Sequence, residues 1–371
     1  MADNDHRPLV AVLFGGRSSE HSVSCVTAAG VIGAIDTEAF DVLPIGITKT
    51  GVWRIVDDWA SMRFDPQAMP EVTDNGTEVI PPLSADGAPL LARDAEGHYS
   101  ELGAVDVFFP VLHGRFGEDG TLQGLFELSD TAFVGSGVFS SAASMDKHYT
   151  KSLMAQAGIP TCPWELVTET MWETDRSDVE SRVAGLGLPV FVKPARAGSS
   201  MGVSRVAEAA DLAAALTGAF EHDSKVIVEP EVSGREVECA VLGSLYDTEL
   251  RVSSPGEISV TGDHSFYDFD AKYLDLADAE VTCPAELDEQ VTARVQELAA
   301  SVFRLFDCTG LARVDTFVTD TGEVVINELN TLPGFTPTSA YPYMWAQSGV
   351  EYSELISELI SIALVDHARG K

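Results

Sequence analysis

The sequence predicts a multi-domain protein of mixed α/β and α+β class, and three observations carry that reading. Residues 8–14 (Pro-Leu-Val-Ala-Val-Leu-Phe) form a short apolar run closed by Gly15-Gly16. Helical spacing of apolar positions follows from Val23 to Ile35, so the chain opens as an α/β unit. From about Met145 the pattern shifts to a helix, short strands and glycine-rich turns. Near the C-terminus Arg313-Val314-Asp315 and Glu328-Leu329-Asn330 flank Thr321-Gly322, the layout of a charged hairpin. At 371 residues the chain is long enough for two or three domains, each with its own core.

Taken in order, 42–47 and 105–112 read as further strands of the first sheet. Residues 53–100, rich in Asp, Pro and Gly, read as irregular hairpins and loops without chemistry. A helix at 146–157 and strands at 190–193, 202–206 and 225–229 suggest a small α+β domain. Strands 235–242 and 248–252 open a third region, which continues through a polar, acidic segment at 256–283. A helix at 285–306, the hairpin and a last helix at 350–364 complete it. A two-residue turn at Thr321-Gly322 would pair Asp320 with Glu323, placing Asp315 opposite Glu328 and Arg313 opposite Asn330. Side chains two apart on a strand share a face, so all four project together. Two carboxylates and an amide oxygen suit Mg²⁺ shared with substrate phosphates.

The net charge of −35 argues against nucleic acid or an anionic membrane as partner, though not against a nucleotide, whose site is built locally. Cations are scarce enough to be informative: Lys147, Lys193 and Lys272 all fall within the motifs below. Cys25, Cys162, Cys239, Cys283 and Cys308 are widely spaced, which suits a reduced compartment and disfavours zinc. The acidic N-terminus has no basic region ahead of an apolar stretch, and no apolar run approaches the roughly 18 residues of a membrane span. The expected location is the cytoplasm.

Gly15 to Ser22 lies at the carboxyl end of the first strand, where open α/β sheets bind ligands, but it lacks a GxGxxG fingerprint. Glu20 there serves either the helix macrodipole or the grip on a substrate ammonium. The run His113 to Gly124 carries glycines that let backbone approach a ligand; a lone histidine at a strand end is more often structural than catalytic. Lys193 to Gly202 presents a cation, hydroxyls and N–H groups as a phosphate site does, without a Walker sequence; a plain hairpin loop is the alternative. Val226 to Val232 followed by Gly234-Arg235-Glu236 reads as a strand entering a hinge. Phe266 to Tyr273 falls in the polar segment and reads as the tip of a lid or as a surface loop.

In these segments, together with Met145-Asp146-Lys147 and Gly310 to Gly334, the chain resembles the D-alanine–D-alanine ligases of the ATP-grasp superfamily. The resemblance runs from end to end. It implies a three-domain ATP-grasp architecture: an N-terminal Rossmann-like (pre-ATP-grasp) domain at 1–144, a central subdomain at 145–233, and a C-terminal subdomain at 234–371 with a lid at 256–283. It also implies ATP and two Mg²⁺ as cofactors, with Mn²⁺ as a substitute, D-alanine as substrate and a homodimer as the assembly.

Carried over residue by residue, the resemblance makes Asp315, Glu328 and Asn330 the metal ligands. Lys147 and Lys193 meet the α and β phosphates, and Ser200 with Lys272 the γ group. Glu229, Pro230 and Val232 border the adenine, and Glu236 holds the ribose. Glu20 binds the ammonium of the first D-alanine, with His113 nearby. Arg313 and the Gly334 N–H face the oxyanion, Ser339 takes the carboxylate of the second D-alanine, and Ser199 with Tyr273 closes the site. Two departures stand out: Ala340 follows Ser339 where relatives often carry Leu or Met, and Thr316 replaces an aliphatic residue. The first leaves D-serine or D-lactate open as acceptors; Tyr273, which lactate-using relatives replace, favours an amine. A non-catalytic nucleotide-binding protein is the reading from another class, and Lys193, Asp315, Glu328, Asn330 and Arg313 speak against it.

Overall fold

The computed structural model describes residues 7–74, 76–85, 87, 89–260 and 279–370. Three sheets follow one another along the chain. The first has eight strands, in the spatial order Tyr99–Gly103, Leu90–Arg93, Glu78–Ile80, Trp53–Ile55, Asp41–Ile47, Leu9–Gly15, Val107–Pro110 and Ala132–Phe133. Leu9–Gly15 is central and parallel to both neighbours, as its unbroken apolar sequence requires. Helix His21–Ala34 covers one face, burying Cys25, Ala28, Val31 and Ile32 in the core that holds Val10, Val12 and Phe14. The second sheet is antiparallel, in the order Ser204–Val206, Val190–Pro194, Lys225–Pro230 and Glu165–Thr168. Val179 and Val183 of helix Arg176–Leu186 and Leu212, Leu216 and Ala219 of helix Leu212–Phe220 fill its core.

The third sheet runs Ala279–Thr282, Gly256–Val260, Gly234–Gly243, Gly310–Thr319 and Val324–Asn330, with Arg251–Val252 paired to Gly234–Gly243. Helix Glu289–Leu305 packs Val295, Leu298, Val302 and Phe303 against it. Met154, from helix Lys147–Gln156, enters this same core. The final helix, Tyr352–Gly370, buries Leu355, Ile356, Leu359 and Ile360 with residues of the first sheet, so the end of the chain packs against its beginning.

The stretch 53–100, read as irregular hairpins and loops, is more regular than that reading. Four of the eight strands of the first sheet lie in or begin in it, each three to five residues long and antiparallel to the one before. Strands this short carry too little periodicity to stand out among Asp, Pro and Gly. The polar segment starts and ends on strands, since Gly256–Val260 pairs with Ala279–Thr282. Lys272 and Tyr273, the expected lid tip, lie outside the described residues. No helix among the described residues is long and apolar enough to cross a membrane.

Candidate active site

One cleft of about 1410 Å³ is lined from all three sheet regions, by Glu20 and His113 of the first, Lys193 and Glu229 of the second, and Arg313, Asp315 and Glu328 of the third. The hairpin on the third sheet supplies Arg313, Asp315 and Glu328 from one face. Arg313 is opposite Asn330 and Asp315 opposite Glu328, as the sequence predicts, but the route to that register differs. The Thr319 N–H donates to the Glu323 carbonyl (2.9 Å), so the turn contains three residues, Asp320-Thr321-Gly322, with Gly322 at φ +80°. Pairing from Val318↔Val324 to Thr316↔Ile326 is therefore one residue out of step with the prediction. A bulge between Asp315 and Thr316, with Asn327 as the extra residue on the facing strand, restores the step. Ile326 is held where the bulge begins: its N–H donates to the Pro160 carbonyl (2.9 Å) and its carbonyl accepts from Thr161 Oγ1 (3.2 Å).

The Arg313 guanidinium lies flat on Asp315, with Nε to Oδ1 at 2.7 Å and Nη2 to Oδ2 at 2.8 Å. Its Nε is also 3.1 Å from Oε2 of Glu238, which sits opposite Asp315 on the adjoining strand. Burial works against the charge of Arg313, but Asp315 and Glu238 outweigh it and hold its pKa well above the usual guanidinium value. Asn330 Nδ2 donates to Asp315 Oδ2 (2.9 Å). Among the described residues no three His, Cys, Asp or Glu side chains form a metal cage. Asp315, Glu328 and Asn330 offer hard oxygens instead, a donor set that fits Mg²⁺ or Mn²⁺ completed by phosphate and water. Thr316 turns its hydroxyl to the Val237 carbonyl (2.7 Å) within the sheet.

Lys193 reaches the cleft from Val190–Pro194 and meets Glu229 Oε2 at 2.8 Å. The other oxygen of Glu229 takes Lys151 at 2.5 Å, a lysine that is fully buried one helical turn beyond Lys147. Burial raises the Glu229 carboxyl, but the two lysines overcome it and bring the pKa down to about 2. Lys147 donates to the Ala197 carbonyl (2.8 Å) and lies 3.9 Å from Glu328 Oε2, bridging the glycine-rich turn to the hairpin. Asp146 caps the helix that carries Lys147 and pairs with Lys225. In the turn, Ser199 (φ 49°) and Ser200 (φ 56°) both adopt left-handed backbone, which costs roughly 1 kcal/mol or more per residue. The base of the turn is fixed by Arg196, whose N and Nε donate to Asp223 at 3.0 and 2.9 Å. Pro230, Val232 and Glu236 line the hinge side of the cleft.

At the opposite end Glu20 is the N-cap residue of His21–Ala34, yet it makes no side-chain cap. Its carboxylate instead accepts from Ser199 Oγ and lies against Gly114, where a Cβ would come within 2.9 Å of Oε2. That close approach, with φ at +67°, is what Gly114 permits. Beside it, Glu118 accepts from the Gly114 N–H, and burial together with the Glu20 charge pushes its carboxyl up to about 8. His113 is buried and its Nε2 has no hydrogen-bond partner among the described residues; burial outweighs the Glu20 charge and keeps the imidazole neutral. Ser339 precedes helix Ala340–Gln347, accepts from the Thr336 N–H (3.1 Å), and would lie 3.2 Å from a Cβ on Gly334. Phe335, edge-on to Phe109 and in tilted contact with Tyr341 and Tyr352, anchors this loop.

Four lining or supporting residues escaped the sequence reading, Lys151, Glu238, Phe64 and Met69, while Glu118 lay within the His113 to Gly124 run without a role of its own. Lys151 carries a signal, the four-residue spacing from Lys147 on one helix face. Phe64 and Met69 come from the stretch read as having no chemistry, and line the cleft with Val23, Val26 and Thr27.

The chain matches two family models, "D-ala D-ala ligase N-terminus" over residues 9–136 and "D-ala D-ala ligase C-terminus" over residues 153–361. It is 53% identical over 372 residues to the D-alanine–D-alanine ligase of Kineococcus radiotolerans, covering 96% of this chain and 97% of that one. Identity to the Mycobacterium avium enzyme of the same name is 48%, covering 96% and 97%. Among solved structures, the VanG D-Ala:D-Ser ligase from Enterococcus faecalis superposes with a TM-score of 0.83 at 38% identity, covering 96% of this chain and 100% of that one. The D-alanine-D-alanine ligase from Coxiella burnetii gives 0.80 at 31%, covering 98% and 97%.

Proposed function

The chain belongs to the D-alanine–D-alanine ligase family, and from that premise we propose that it joins two D-alanines at the expense of ATP and that the residues lining the cleft divide the work as follows. ATP passes its γ-phosphoryl group to the carboxylate of the first D-alanine and leaves as ADP. The amine of the second D-alanine attacks the acyl phosphate, and the tetrahedral adduct expels phosphate. Such a sequence needs positioning and charge neutralisation more than covalent help from the protein.

Glu20, with Glu118 and the neutral His113 behind it, receives the ammonium of the first D-alanine. Lys147, Lys193 and the N–H groups around Ser200 receive the phosphates, with Lys272 closing over the γ group. Glu229 holds Lys193 in place, while Pro230, Val232 and Glu236 accommodate the nucleoside. Mg²⁺ or Mn²⁺, when bound, would be held by Asp315, Glu328 and Asn330 and would neutralise phosphate charge. Arg313 and the Gly334 N–H face the developing oxyanion. Ser339, at a helix start, takes the carboxylate of the second D-alanine. Ser199 and Tyr273 order Glu20 and assist loss of the proton from the attacking amine. A homodimer is the assembly proposed from the resemblance, and light scattering on the purified chain tests it.

The observation that carries this division is the meeting of Glu20 with Ser199, which brings the amino-acid end of the first sheet region to the phosphate turn of the second. The test is phosphate release with ATP and Mg²⁺ in the presence of D-alanine, repeated with D-serine or D-lactate added, with products identified by mass. Phosphate release matched by D-Ala-D-Ala supports the reading. Turnover only with a second acceptor transfers the specificity to the pocket at Ala340, and tight ATP binding without turnover overturns the catalytic reading.

A further inference from the structure

Asp315 has two competing tasks in the proposed reaction. In this structure both of its oxygens accept from Arg313, yet a divalent cation held by Asp315 would take at least one of them. When the carboxylate turns to a cation, the guanidinium loses its bidentate partner at the moment it has to face an oxyanion. Glu238 lies where it can make good that loss. It projects from Gly234–Gly243 directly opposite Asp315, its Oε2 is 3.1 Å from Arg313 Nε, and its side chain is only 6% exposed.

We propose that Glu238 is the positioning residue for Arg313, holding Nε in place while Asp315 is given over to the divalent cation. Gripped at Nε by Glu238, the guanidinium keeps its terminal nitrogens for the reacting oxygen. A carboxylate is required for this, because the guanidinium is planar and charged and its alternative resting place is Asp315 itself. Without Glu238, Arg313 falls back on Asp315 and competes with the cation. The inference rests on the assignment of Arg313 and Asp315 made above.

Glu238→Gln keeps the volume and removes the charge. The expected result is a kcat lowered about tenfold, the scale of a hydrogen bond to a charged group, with KM for ATP within about twofold of wild type. A second readout needs no turnover. Calorimetric titration of ADP at a series of Mn²⁺ concentrations should require several-fold more Mn²⁺ for half-maximal binding in the variant. Wild-type kcat and an unchanged Mn²⁺ midpoint would overturn the proposal. So would loss of ADP binding at every Mn²⁺ concentration together with a lowered unfolding temperature, which marks a structural role only. Should Glu238→Gln fail to fold, Glu238→Thr, which suits a strand, replaces it under the same criteria. Wild-type protein that makes no dipeptide refutes the proposed function. An Arg313→Lys variant that loses dipeptide synthesis while Glu238→Gln keeps it refutes this inference alone.

Discussion

At the hairpin end of the cleft each cation sits against a carboxylate: Arg313 on Asp315 and Glu238, Lys193 and Lys151 on Glu229, Lys147 near Glu328. At the Glu20 end the balance is different, with Glu118 driven toward its protonated form by burial and by Glu20, beside a neutral His113. The first end is organised before any ligand arrives, and ligand binding there exchanges one set of partners for another. At the second end burial and the Glu20 charge outweigh Arg313 in their effect on Glu118, and the ammonium of the proposed first D-alanine would add positive charge there. Under the proposed roles, preorganisation and incompleteness thus divide between the phosphate end and the amino-acid end, and substitutions at the two ends should fail in different ways.

The largest effect is expected where a balanced cluster is broken. Glu229→Ala leaves Lys151 and Lys193 together without their carboxylate, and should cost about 3–5 kcal/mol of stability by denaturant unfolding. The wild-type contribution of Glu229, whose folded pKa of about 2 lies below its ordinary 4.5, is present above pH 4.5 and disappears as pH falls toward 2. Next comes Arg313→Lys, which replaces a planar fork by a point charge. It should lower kcat about a hundredfold at unchanged ATP binding; activity within twofold of wild type would remove Arg313 from oxyanion stabilisation. Glu328→Gln should raise the Mg²⁺ concentration for half-maximal activity about tenfold; an unchanged titration excludes it as a ligand.

The smallest effect belongs to the incomplete end. With a folded pKa of about 8, Glu118 favours the folded state below pH 4.5, and that contribution declines as pH rises from 4.5 to about 8. D-alanine binding near pH 7 should release a proton from Glu118 once an ammonium offsets the Glu20 charge. Binding enthalpies measured in buffers of different ionisation enthalpy count that proton. In Glu118→Gln the buffer dependence should vanish and the pH–stability curve flatten; a wild-type response from the variant assigns the proton elsewhere.

The same contrast bears on what could be read from sequence. Arg313, Asp315, Glu328 and Asn330 were legible because they alternate on two strands joined by a recognisable turn. Glu238 was not, because it joins them across a strand pair from far away in the chain, and a glutamate on a strand looks like any solvent-facing residue. Lys151 resembles a surface lysine until Glu229 is brought to it. Glu118 was visible within its glycine-rich motif, but its protonation depends on Glu20, which only the fold sets beside it. The hairpin register was right at the site through two offsetting differences, a longer turn and a bulge, neither of which alternation reveals.

That bulge has a consequence for how the hairpin tolerates change. Because strand side chains alternate faces, the placement of Glu328 opposite Asp315 depends on whether the residues between turn and site number odd or even. Removing one residue from Asp320-Thr321-Gly322 is harmless only if Asn327 is lost from the ladder as well. The clasp of Ile326 by Pro160 and Thr161 resists that compensation, and it also covers an outermost strand that would otherwise offer its backbone to another chain. The tip of this hairpin is therefore free to vary in composition and constrained in parity.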